Sequence, residues 1–316
     1  MARLISLASA ALLALATLAR AAPFAYVSNE GSATVSVVDI ATDRVAATLK
    51  VGAKPRGIAL SRDARRLYVS DQTGNALVVY DLEGRATIAT IALGKSPEAI
   101  YLSPDGRWIA AAVEENDKVV IVDLAALKVA RTIQMKGKNP EHAVWSPDGK
   151  WLYVSAEEAD SVDIVDVARG EVVKSVTVGA RPRGIGFLPD STRAYVAAEQ
   201  ADRVAVLDVR KQEVVAMVPA GSRSNGVLVH PDGQRVFVTS GGKGTVQVID
   251  TAKNAIVAEV EVGKRPWNMA LSPDGRKLYV ACGRSNAVAV VDTATYTKST
   301  EIAVGELPWG VAIGPP

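Results

Sequence analysis

A unit of about 42 residues repeats along this chain, and no other feature limits its fold as strongly. The cleanest copy spans residues 262–292. It reads Val-Gly, a Pro, a short apolar run, Ser-Pro-Asp-Gly, Leu-Tyr-Val, and an alternating run ending in Asp. The Pro falls at Pro55, Pro97, Pro140, Pro182, Pro266 and Pro308, with Ser224 standing in the fifth copy. The final Asp falls at Asp39, Asp81, Asp123, Asp166, Asp208, Asp250 and Asp292. The step is 42 except for one 43, which traces to an extra residue between Asp123 and Gly137. A period of this length means a solenoid, a propeller or an array.

The contents of the unit select among these. The second copy holds four short β-rich runs, at residues 99–102, 108–113, 119–123 and 129–133. Ser103-Pro104-Asp105-Gly106 supplies a tight turn, with Pro where φ is fixed and Gly where positive φ is tolerated. The third runs are nearly continuous in apolar residues, as strands buried on both faces are. Four antiparallel strands per unit, without helical periodicity, make a β-propeller blade. Six whole units follow Pro55. The last strand, at residues 308–313, complements three strands at residues 25–49, so the ends should join in one blade and close a seven-bladed ring. The terminal Asp residues read as loop caps. The small residues two places after each Pro (Gly57, Ala99, Gly184, Gly226, Gly310) read as crowding at the axis.

Residues 1–21 are read as a signal peptide: a basic start at Arg3, an apolar run, and Ala19-Arg20-Ala21 as the cleavage site. The run is short for a membrane span, so the mature chain, 22–316, should be one exported propeller, periplasmic or secreted. Loss of Arg3 and Arg20 from 36 basic residues leaves 34, against 34 acidic ones. This neutral balance gives no support for nucleic-acid binding. The single cysteine, Cys282, can form no intrachain disulfide and reads as a buried apolar residue.

The runs Ala25-Tyr26-Val27-Ser28-Asn29, Leu67-Tyr68-Val69-Ser70-Asp71, Leu152-Tyr153-Val154-Ser155 and Leu278-Tyr279-Val280-Ala281, with their Ser-Pro-Asp-Gly and Val-x-Val-x-Asp partners, resemble the YVTN family of β-propeller repeats. As a whole the chain is similar to the periplasmic propellers associated with PQQ-dependent alcohol catabolism. That resemblance implies a compartment and a quinoprotein setting, with PQQ as a cofactor by context only. It carries no catalytic residue across.

Function is sought where a repeat position varies. The loop around each Pro carries Lys54, Arg56, Lys95, Lys138, Arg181, Arg183, Arg223, Lys264 and Arg265 against Glu98, Glu141 and Glu306. Such an excess of cations at a channel mouth would focus the field on an anion or an acidic partner. The residues just past the Pro, namely Arg56, Glu98, Glu141, Arg183, Asn225, Trp267 and Trp309, with His142 and Asn268 beside them, form the candidate ligand site. Trp267 and Trp309 would give a flat wall, and Arg56 and Arg183 would hold carboxylates bidentately. A catalytic Glu141–His142 pair is disfavoured because neighbours on a strand face opposite ways.

Other chemistry is poorly served. There is no Cys-x-x-Cys-His, and two histidines are too few for a haem or zinc site, so no metal is expected. His230 replaces Ser in a turn and reads as structural. Gly241-Gly242-Lys243-Gly244 joins two strands and opens no helix, so it is not a phosphate loop. The expectation is a non-enzymatic binding or scaffold protein for a small anionic ligand or a periplasmic redox protein. The alternatives are a lactonase-like hydrolase using Glu98, Glu141, His142 and Arg183, or a pure protein-interaction platform.

Overall fold

The computed structural model describes residues 23–314. The proposed signal peptide therefore lies outside the described residues. Twenty-eight strands, β1–β28 in chain order, form seven four-stranded antiparallel sheets. Blade 1 is β1 (Phe24–Asn29), β2 (Thr34–Asp39) and β3 (Arg44–Lys50), with β28 (Pro308–Ile313) as its inner strand. Ala25 pairs with Ile313 and Tyr26 with Ala312, so the two ends close the ring. Blades 2 to 7 follow in order. Their inner strands are β4 (Pro55–Leu60), β8 (Pro97–Leu102), β12 (Pro140–Trp145), β16 (Pro182–Phe187), β20 (Ser224–Val229) and β24 (Pro266–Leu271).

The core lies between blades rather than in one centre. Tyr153 of blade 4 packs edge-on against Phe187 of blade 5, with ring centroids 4.8 Å apart. Leu77 and Val79 of blade 2 share a cluster with Ile109 and Ala111 of blade 3. Middle strands such as Lys118–Asp123 are buried on both faces, whereas outer strands alternate and expose Val215 and Ile88. Every terminal Asp accepts at least one backbone N–H from the turn after it, as Asp292 does from Ala294 and Thr295. Cys282 is buried, and burial pushes its thiol up to about 12. His230 holds its turn through Asp232, 2.9 Å from Nδ1, as the loop serines do elsewhere.

Two expectations need correction. The inner strand of blade 3 begins at Pro97, two residues before the expected start. The reason is a β-bulge: Pro97 pairs with Val113 and Ile100 with Ala111, so Glu98 and Ala99 together oppose one residue. The same irregularity recurs in all seven blades. Where the opposing residue is Ser28, Ser70, Ser155 or Thr239, its hydroxyl accepts the N–H freed by the bulge. The small residues also have a different cause from the one expected. A Cβ on Gly57 would lie 2.6 Å from the Ile100 nitrogen, and one on Gly226 2.3 Å from the Trp267 carbonyl oxygen. They are small because the next blade's backbone touches them, not because the axis is crowded.

Candidate functional site

A bulge bends a strand and re-aims the side chain it carries. Here it brings one residue per blade to the Pro-side mouth of the channel: Trp309, Arg56, Glu98, Glu141, Arg183, Asn225 and Trp267, for blades 1 to 7. The structure adds a second ring, one place past the end of each second strand: Glu30, Gln72, Glu114, Glu157, Glu199, Gly241 and Gly283. Sequence reasoning missed this ring although it keeps the same period, because attention stayed on the Pro loops. It decides the electrostatics of the mouth.

From blade 1 to blade 5 the first-ring arginines are taken up by carboxylates of both rings. Arg56 donates to Glu30 at 2.7 Å and to Glu98. Arg183, 8% exposed, reaches Glu141 at 2.5 Å, Glu157 at 2.6 Å and Glu199 at 2.9 Å. Arg181 adds a contact to Glu157. Glu98 also accepts from Gln72 at 2.6 Å. The expected free arginine clamp is thus corrected. Both guanidiniums are occupied by carboxylates of the second ring and its neighbours, and the cation excess read from the loops is cancelled where they meet the channel.

Burial, with Glu141 close by, pushes the Glu98 carboxyl up to about 8 even with Arg56 attached. Glu141 moves the other way. Burial is the largest influence and would raise its pKa, but Arg183, His142 and Arg56 together outweigh it and bring the carboxyl below its ordinary value. Glu98, Glu114 and Glu141 bring oxygens within 4.8 Å of one another, as a cation site would. Two of the three already carry arginine partners, Arg56 on Glu98 and Arg183 on Glu141.

Blades 6, 7 and 1 are built differently. On blades 6 and 7 the second ring has glycines, Gly241 and Gly283, and the space is filled from the first ring. A Cβ on Gly283 would sit 2.5 Å from Trp267 Nε1. Trp267 stacks on Trp309 with centroids 6.4 Å apart and planes at 27°. The Arg265 guanidinium lies 4.6 Å over the Trp267 ring and donates from Nη2 to Glu199 at 2.9 Å. Its Nη1 is buried without a partner, as is Asn225 Nδ2. Asn268 is spent on the Trp309 carbonyl, at 3.4 Å.

His142 crosses the channel from blade 4 to stack on Trp309, with centroids 6.1 Å apart and planes at 22°. Its Nδ1 is 2.7 Å from the Tyr101 hydroxyl, and Nε2 has no partner. Burial lowers its pKa to about 4, so the ring is neutral at pH 7. Beneath it the inner strands leave a cavity of about 100 Å³. Glu141 turns to Arg183 and His142 to Tyr101, so the two do not form an acid–base pair.

PQQ, a planar tricarboxylate, would need Arg56 and Arg183 free. Among the described mouth residues the buried nitrogens without a partner are His142 Nε2, Asn225 Nδ2 and Arg265 Nη1, too few for three carboxylates. The residues present do not fit that cofactor. Among the described residues no helix is long and apolar enough to cross a membrane.

A family model described as YNCE-like beta-propeller matches residues 25–274. No curated protein matches the chain. Among solved structures, a functionally unknown protein from Desulfotomaculum acetoxidans superposes with a TM-score of 0.82 at 18% identity, covering 93% of this chain and 99% of the other. Kuenenia stuttgartiensis hydrazine synthase gives 0.78 at 24% identity, covering 85% and 92%. A candidate 6-phosphogluconolactonase from Bacteroides uniformis gives 0.77 at 19%, covering 92% and 99%. At these identities the likeness shows the fold alone.

Proposed function

The chain belongs to the YNCE-like beta-propeller family, and from that premise we propose that it is a non-enzymatic binding protein. It holds a small ligand at the Pro-side mouth, on the aromatic arc of blades 6, 7 and 1. One observation carries this reading: two stacked indoles stand on the same arc as two buried donors, Asn225 Nδ2 and Arg265 Nη1, that no protein atom satisfies. Buried polar groups are nearly always paired, and an acceptor brought by a ligand would pair these. The fitting class is a planar ring bearing one carboxylate or similar acceptor, with the ring on Trp267 and Trp309. The ligand is still an anion, but Arg265 rather than Arg56 or Arg183 receives it.

Thermal unfolding against a panel of aromatic monocarboxylates, with PQQ as the poorly fitting member, tests this. Binding at 100 times the dissociation constant stabilises by about 2.7 kcal/mol. The shift should vanish in Trp267→Ala and in Asn225→Ala. Absence of any shift across the panel would remove the small-ligand reading and leave protein docking as the function to pursue.

The lactonase-like alternative asks Glu98, Glu141, His142 and Arg183 to act on a substrate. The inward pairing of Glu141 and Arg183 and the burial of Glu98 weigh against it. Lactone hydrolysis that is abolished by His142→Gln would restore it. We place the protein in the periplasm on its signal-like N-terminus, in the quinoprotein setting the family resemblance implies and with a periplasmic redox protein as a possible partner. N-terminal sequencing of exported material should begin after Ala21.

A further inference from the structure

We propose that the groove between blades 6 and 7, outside the channel, is a second binding site, for a small oxyanion of the phosphate type. The groove encloses about 630 Å³ on the Pro-side face. Its walls are the Gly241–Gly244 hairpin, the 261–265 loop and the start of the next hairpin at Arg284 and Ser285. Five cations and one carboxylate, Glu261, line it.

Three observations separate this groove from ordinary surface charge. First, the sign of the hairpins reverses here. The corresponding turns of blades 3, 4 and 5 carry Glu114, Glu115 and Asp117, then Glu157, Glu158 and Asp160, then Glu199 and Asp202. Those of blades 6 and 7 carry Lys243 and Arg284 and no acid. Second, the cations are not all spent. Lys243 meets Glu259 at 3.3 Å and Lys298 meets Glu301 at 3.0 Å, whereas Lys264 and Arg284 have no ion-pair partner among the described residues. Third, the floor is prepared. Arg265 Nη1 is buried and unpartnered, and a side chain on Gly241 would start 3.0 Å from it and cover it. Ser285 Oγ accepts the Lys264 N–H at 2.8 Å, which leaves its own proton to donate.

A concave site lined by one sign of charge concentrates counter-ions. Guanidinium and ammonium groups around tetrahedral oxygens make charge-assisted hydrogen bonds, the stronger kind. A phosphate group seated here would take Arg265 from below and Lys264 and Arg284 from the rim. The Gly-Gly-Lys-Gly run takes part as a glycine floor with one lysine, not as a helix-opening loop. The groove shares Arg265 with the proposed mouth ligand, but inorganic phosphate has no ring to stack on the indoles, and Lys264 and Arg284 line the groove alone. The variants at those two residues therefore report on the groove and not on the mouth.

The test is calorimetric titration of the full chain with inorganic phosphate and with pyrophosphate at low ionic strength. One saturable site is expected, tighter for pyrophosphate. The double variant Lys264→Ala/Arg284→Ala should bind at least tenfold more weakly. The control Lys95→Ala/Lys138→Ala, which alters the positions matching Lys264 on blades 3 and 4, should bind as the wild type does. All four residues are exposed, and an unchanged melting temperature will show that the variants fold. No saturation, or equal weakening in both double variants, would overturn the proposal and reduce the groove to diffuse surface charge.

Discussion

The arc from blade 1 to blade 5 and the arc through blades 6, 7 and 1 use the same backbone positions for opposite ends. On the first, the bulge arginines are taken up by carboxylates of both rings, Arg56 by Glu30 and Glu98 and Arg183 by Glu141, Glu157 and Glu199. On the second, Gly241 and Gly283 remove the carboxylate, indoles fill the space, and donors are left over. A repeat fold can thus spend one arc on its own cohesion and keep another open. Buried ion pairs are poor binding groups because their charge is already spent. Unpaired donors beside an aromatic wall are good ones.

The comparison breaks most sharply at Arg183. Arg183→Met would leave Glu141, Glu157 and Glu199 without their shared cation. Removing one partner of a buried ion pair costs about 3–5 kcal/mol. Chemical denaturation should show a loss of that order, and Trp267→Ala a smaller one. If the two losses are equal, the division between cohesion and binding fails.

Next in size is Gly283→Glu, which writes the pattern of the charged arc onto the aromatic one. Its Cβ would meet Trp267 at 2.5 Å, and the rigid indole must move. Overpacking of this kind costs about 1–3 kcal/mol, and binding of an aromatic acid should be lost with it.

Two pH profiles sharpen the contrast further. The folded-state pKa of Glu98, about 8, lies above the ordinary carboxylate value, so its contribution is full at low pH and is lost as pH rises toward 8. Glu98→Gln should therefore flatten the fall in melting temperature between about pH 4.5 and 8. His142 has the opposite sign. Its folded pKa of about 4 lies below the ordinary 6.5, so stability is lost as pH falls from 6.5 to 4. His142→Gln should remove that loss. Variants whose profiles run parallel to the wild type would show that neither group is perturbed.

The smallest effect is expected from Gly241→Glu. Its Cβ would lie 3.0 Å from Arg265 Nη1 and 3.2 Å from the Arg223 carbonyl oxygen, so the loss should fall at the low end of the roughly 1–3 kcal/mol that overpacking costs. The new carboxylate would take Arg265 Nη1, and phosphate binding in the groove should fall. Unchanged phosphate affinity would remove Arg265 from that site.

The architecture was readable before any coordinates. The positions of Pro55 through Pro308 and of the seven Asp residues state the blade count, and the complementary ends state the closure. These are properties of a period, and a period is carried by the chain itself. The stacked pair Trp267 and Trp309 was also foreseeable, since adjacent blades bring residues 42 apart side by side. The charge state of the mouth was not foreseen. Counting loop cations gave a basic rim because Glu30, Glu114, Glu157 and Glu199 lie on another turn of the repeat. Nothing in the linear order says that a side chain after the second strand meets one after the Pro. The bulge that joins them was invisible too, and it cost two residues of the inner strand of blade 3. Period and pattern, being local and repeated, were determined by the sequence alone. Which charges cancel and which donors remain unpaired depended on burial and on contacts across blades, and those come into existence only when the ring closes.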